Sequence, residues 1–111
     1  MKIPVDVEIS DGKIKNYLLL KKDVGDKSFF LLQAGYSLEN FEKLISDLRE
    51  QILSFDAVFI EESVYGDKYK IPGVLIGPNG KSLLINTIWM KENITYKWKF
   101  ITLFPSKEKT K

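Results

Sequence analysis

The chain has 111 residues, 44% of them hydrophobic and 13% aromatic, with 17 Lys+Arg against 15 Asp+Glu. This is the length of one domain with enough apolar surface for a core, and a net charge of +2 creates no strong field. Cysteine and histidine are both absent, which excludes disulfides, thiolate catalysis, Ser-His and Cys-His arrangements and the commonest metal ligands.

No apolar run has the length of a signal peptide core or a membrane span. The expectation is a single cytoplasmic domain over 1–111, with no cofactor, no metal and no membrane association. Asn93-Ile94-Thr95 matches a glycosylation sequon, read as chance in a chain without a secretory signal.

Residues 1–11 read as a polar lead, in which Ile3, Val5, Val7 and Ile9 alternate and allow a short edge strand. Gly12 to Leu20 carries Ile14, Tyr17 and Leu18 behind Asp11, a candidate N-cap, and predicts a short amphipathic helix. A charged break follows at 21–25. Lys27–Ala34 is a compact apolar run with Asp26 before it and Gly35 after it, which favours a helix with a left-handed glycine cap. Ser37 caps the clearest helix. Phe41, Leu44, Ile45, Leu48 and Ile52 form one stripe at helical spacing, ending near Leu53.

After Asp56 the period falls to two. Strands are expected at Ala57–Ser63, Lys68–Ile76, Lys81–Met90 and Tyr96–Phe104. Asn79-Gly80 is read as a two-residue type I′ hairpin turn, and Pro72-Gly73 argues for a bulge or an edge in the second strand. Residues 106–111 should form a frayed, disordered tail. Helices followed by a meander imply an α+β fold, with two or three N-terminal helices packed on a four-stranded antiparallel sheet.

Between Tyr65 and Pro105 there are six lysines (Lys68, Lys70, Lys81, Lys91, Lys97, Lys99) and two acids (Asp67, Glu92), a local charge of +4. Lysines 27, 68, 70, 81 and 99 can neutralise phosphates or simply be solvated. Both faces of the third strand are mostly apolar, so it should be central and largely covered. Core is the expectation for Trp89, Phe100 and Phe104, with Trp98, Phe100, Thr102 and Phe104 sharing a face. A partly open face lined by Trp98 and lysines is the alternative, since aromatics on such a face stack nucleotide bases. Gly77-Pro78-Asn79-Gly80-Lys81 lacks the spacing and the following helix of a phosphate loop. Glu61-Glu62 and Asp23/Asp26 read as surface charge.

Five segments in order resemble a small, uncharacterised bacterial domain family of about this length. They are Gly25, Lys27, Phe29-Phe30 and Gly35-Tyr36; Tyr65-Gly66-Asp67-Lys68-Tyr69; Gly77-Pro78-Asn79-Gly80-Lys81; Thr87-Ile88-Trp89; and Ile101-Thr102-Leu103-Phe104-Pro105. The resemblance as a whole covers roughly residues 13–105. The resemblance implies a toxin–antitoxin-like context, with a small cognate partner protein, and a fold like that of barnase, RelE and colicin-type ribonucleases. On that analogy Lys27, Lys68, Thr87 and Thr102 would be catalytic, and Tyr69, Lys81, Trp89 and Lys99 would bind substrate. Many members carry a histidine ahead of the Val-Gly segment, where this chain has Lys21-Lys22-Asp23.

Two functions follow as expectations. One is a toxin-like, metal-independent ribonuclease acting on RNA, whose base is a carboxylate or a lysine of lowered pKa. The other is a non-catalytic module that pairs with a partner protein, or forms a homodimer, through a sheet edge or open face.

Overall fold

A computed structural model describes residues 1–20 and 27–106. The expected break at 21–25, the Asp26 cap and the tail beyond Ser106 lie outside the described residues. Within them the order is helices first, then four strands, an α+β fold. None of the described helices is long and apolar enough to cross a membrane.

The first helix, α1 (Lys13–Leu19), is wound as a π-helix. Its wider turn brings Ile14, Leu18 and Leu19 into the core and leaves Tyr17 exposed. Ser10, not Asp11, stands at its start, and its hydroxyl accepts the Lys13 N–H at 3.4 Å. Helix α2 (Ser28–Leu32) is short, buries Leu31, and is closed by Gly35 at φ 97°. Helix α3 runs through a 3₁₀ turn (Leu38–Asn40), an α segment (Phe41–Asp47) and a π segment (Leu48–Ile52). At its start the Ser37 N–H donates to Asn40 Oδ1 at 2.8 Å, one arm of a capping box. The predicted stripe packs as expected, with Leu44, Leu48 and Ile52 fully buried and Phe41 and Ile45 against them.

The strands are β1 (Val58–Glu62), β2 (Gly66–Ile76), β3 (Ser82–Glu92) and β4 (Trp98–Pro105). They form one antiparallel sheet in the order β1-β2-β3-β4, every neighbour adjacent in sequence. The helices cover one face, where Ile71, Leu75, Leu83, Ile85, Thr87, Trp89, Phe100 and Leu103 are all buried. The other face is open. Leu84 and Val74 are exposed there, Asn86, Ile88 and Phe104 only partly shielded, and Met90 buried, so β3 is covered on one side along most of its length and on both at Met90.

Several sequence expectations change. The β2–β3 connection is not a two-residue type I′ turn. Gly77 N–H donates to Lys81 O at 2.9 Å and Gly80 N–H to Gly77 O at 2.9 Å, and only Gly80 has positive φ, at 87°. Pro78, with φ fixed negative, occupies the first turn position and shifts the loop to three residues closed by a glycine bulge.

The bulge expected at Pro72-Gly73 is absent, because β2 pairs with β3 without a break. β1 ends its pairing at Lys70, so beyond it Pro72 lies where β2 is a local edge and its missing N–H costs nothing. Register shifts occur instead in β1, between Phe59 and Glu61, and in β4, where Ile101 is extra. The Ile101 bulge inverts the alternation: Phe100 and Leu103 point to the core, while Phe104 stands opposite Asn86 on the open face.

The lead is not merely polar. Ile3, Val7 and Ile9 are buried, and Glu8 makes a single parallel bridge to Lys99 on the β4 edge. Arg49 Nη1 holds the segment by donating to the carbonyls of Val5 and of Val7.

Candidate functional site

The antiparallel register sets which side chains share the open face, since directly opposed residues point the same way. Three rows cross it: Glu61–Lys68–Met90–Lys99, Val58–Lys70–Ile88–Thr102, and Pro72–Asn86–Phe104. Lys68, Lys70 and Lys99 therefore gather around an apolar centre of Met90, Ile88 and Phe104. Lys27, just before α2, reaches the same region, and its Nζ donates to Thr102 Oγ1 at 3.0 Å across 75 positions of sequence. The same ammonium lies 5.2 Å from the Tyr17 ring, and Lys13 approaches that ring at 5.8 Å.

Three carboxylates accompany these cations: Glu61, Glu92, and Glu8, whose backbone bridges to Lys99 and which lines a cleft with Lys99 and Glu92. Lys68 Nζ is 3.5 Å from Glu61 Oε2, and Lys99 Nζ is 2.9 Å from Glu92 Oε2. The Lys99 hydrogen bond, followed by that from Thr95 (2.7 Å to Glu92 Oε1), holds the Glu92 carboxyl below its usual range. Lys27 and Lys70 form no ion pair with any described residue. Among the described residues no group of three or more Asp or Glu is placed to hold a metal ion.

Four of the eight residues singled out from the sequence, Lys27, Lys68, Lys99 and Thr102, are thus brought to one surface. Three others stand on the helix-covered face. Thr87 and Trp89 are fully buried. Thr87 Oγ1 donates to Ile71 O at 3.0 Å and accepts the Trp89 indole N–H at 2.7 Å, so the polar atoms of both are spent inside the core. Tyr69, opposite Trp89, is half-buried between the rings of Phe59 (5.7 Å) and Trp98 (5.0 Å).

Lys81 is exposed in the β2–β3 loop. That loop docks on α2: Asn79 N–H donates to Ala34 O at 3.3 Å and Asn79 Nδ2 to Gln33 O at 3.0 Å. A Cβ on Gly77 would lie 2.1 Å from Ala34 O, so the residue must be glycine there. Gly77 serves docking, and Gly80, with positive φ and open space where a Cβ would lie, serves the turn.

Sequence reasoning did not select Asn86 or Glu61 for the site. Period-two parity from Lys68 and Lys70, carried across the hairpin, would have found Asn86. Glu61 needed the β1 register shift, which sequence does not reveal.

A family model described as domain of unknown function (DUF6883) matches residues 5–107. No curated protein matches the chain, and no solved structure matches it.

Proposed function

The chain belongs to the DUF6883 domain family, and we propose that it binds RNA on the open face of its sheet and cleaves it as a toxin-like, metal-independent ribonuclease. The observation that carries this reading is the convergence of Lys68, Lys70, Lys99 and the Lys27–Thr102 pair on one uncovered face. Lysines are point charges suited to a phosphodiester, and the partly accessible Ile88 and Phe104 beside them offer apolar surface to a base or ribose. Glu61, beside Lys68, takes the 2′-hydroxyl proton as the 2′-oxygen attacks phosphorus. The P–O5′ bond breaks, and the 5′-oxygen leaves with a proton from a lysine ammonium. The products are a 2′,3′-cyclic phosphate and a 5′-hydroxyl end. The protein's contribution is positioning and stabilisation of charge on the non-bridging oxygens.

The test is cleavage of an end-labelled RNA by purified protein in excess EDTA. Lys68→Ala and Lys27→Ala should each lower the rate ~10²- to 10³-fold while leaving the fold intact. Wild-type protein that neither cuts RNA nor arrests growth when expressed would overturn the reading.

A second reading rests on a different observation. β1 is a free edge along which Val58, Phe59 and Ile60 are all exposed, a surface suited to a partner protein or a second copy. Size-exclusion chromatography after co-expression with a small cognate protein tests it. A monomer that captures nothing counts against it.

A further inference from the structure

At one end of the sheet the β1–β2 and β3–β4 turns lie side by side, and their tips are built against the usual rules. Turn tips favour Asn, Asp, Gly and Ser, yet here Val64 is 85%, Tyr65 74%, Ile94 90% and Tyr96 71% exposed. Tyr96 moreover has φ 61°, the one described non-glycine residue in the left-handed region, a strained choice for an aromatic.

The two tips are tied into one unit. Asn93 N–H donates to Tyr65 O at 2.9 Å, Asn93 Nδ2 donates to Val64 O at 3.1 Å, and Tyr96 N–H donates to Glu92 O at 3.0 Å. The tyrosines are therefore presented on a fixed base and not on two independent loops, so little ordering entropy is lost when something stacks on them.

We propose that Tyr65 and Tyr96 form a base-stacking platform for single-stranded RNA, a subsite beyond the cleavage centre. This rests on the RNA reading given above and adds where the strand leaves the site. Continuity points to this occupant. The open-face row Lys68–Met90–Lys99 lies one or two residues from the strand ends that lead into these tips. Lys91 Nζ stands 6.0 Å from the Tyr96 ring, and Lys97 follows it directly. A backbone that crosses Lys70 and then Lys68 and Lys99 arrives at two exposed π-faces with cations beside them.

Of the acids at this end, Glu61 and Glu92 are engaged by Lys68 and Lys99. Glu62 and Asp67, opposed across β1 and β2, share the face of Lys91 and not that of the Lys68 row, and Asp6 and Glu8 line the cleft beside Tyr96. Stacking of this kind is tolerant of sequence, because every base offers a π-face.

The experiment measures binding of a labelled 2′-O-methyl oligouridine, which lacks the attacking hydroxyl, and of an abasic strand of equal length. Wild-type protein should prefer the strand with bases by about 10-fold or more, and Tyr65→Ala or Tyr96→Ala should each lose ~5- to 50-fold for that strand alone. Affinity for the abasic strand, set by the lysines, should be unchanged in both variants. Tyr65→Phe should retain the preference and so separates loss of the ring from a disturbed turn. Equal affinity of wild type for the two strands overturns the platform while the RNA reading stands. No affinity for either strand overturns both.

Discussion

Removing the Tyr36 hydroxyl gives a sharp test of how the helical layer is fastened to the sheet. The ring is fully buried, and its hydroxyl donates to Asp47 Oδ2 at 2.5 Å, with Ile76 O a further 3.3 Å contact. Asp47 is itself 2% exposed, and its other oxygen meets Lys43 Nζ at 3.2 Å. Tyr36→Phe keeps the packing and leaves a buried carboxylate with a single partner. A hydrogen bond to a charged group contributes about 1.5–3 kcal/mol, and an unsatisfied buried oxygen costs at least as much.

Ile76 O retains the Gln51 Nε2 donor at 3.0 Å, so the loss falls on Asp47. The expected destabilisation at pH 7 is about 2–3 kcal/mol, roughly a 10 °C fall in Tm for a domain of this size. Urea titration followed by fluorescence of the buried Trp89 measures it. Burial, reinforced by the Asp47 hydrogen bond and charge, pushes the Tyr36 phenol well above the ordinary tyrosine range. The folded chain holds this proton more tightly than the unfolded one. The tyrosine's contribution is therefore complete below pH ~10 and declines as pH rises past it, by at most about 1.4 kcal/mol per unit. The gap between wild type and Tyr36→Phe should narrow above pH 10. A difference under about 0.5 kcal/mol at pH 7, or a gap that widens with pH, would refute this account.

Thr87→Val should cost about 2 kcal/mol, because it orphans the Trp89 indole N–H in the core. RNA cleavage per folded molecule should stay unchanged, whereas a rate loss matching that of Lys68→Ala would return Thr87 to the site. Gly77→Ala should destabilise by roughly 2–4 kcal/mol, since the new methyl meets Ala34 O. Amide exchange at Asn79, whose N–H bonds Ala34 O, should then rise with that of α2, and protection equal to wild type would show that the loop docks some other way.

The fold was legible where one local rule acted without competition. The stripe Phe41–Ile52 and the period-two runs of β2 and β3 each specify one buried face, and the meander follows from the spacing of the strands. It was illegible where a single residue changes parity. Ile101 looks like any strand isoleucine, yet its extra place in β4 sends Phe104 to the open face and separates it from Phe100. Pro78 likewise redirects an Asn-Gly pair that would otherwise make the tighter turn.

The candidate site was half legible for the same reason. Lys68 and Lys99 follow from strand parity. The Lys27–Thr102 contact joins positions 75 apart, which no local pattern encodes. Thr87 and Trp89 drew notice as a polar and an aromatic residue in one motif, and their chemistry proves to be a private hydrogen bond of the core.

The bridge from Glu8 to Lys99 bears on how the chain reaches this state during synthesis. Every strand of the sheet pairs with its neighbour in sequence, so the hairpins can close as they emerge from the ribosome. The N-terminal segment emerges first and must wait longest, because its binding edge is β4. A chain stalled before Trp98 would hold an incomplete sheet, with residues 1–9 tethered by Arg49 and Ala57 but without their β4 edge.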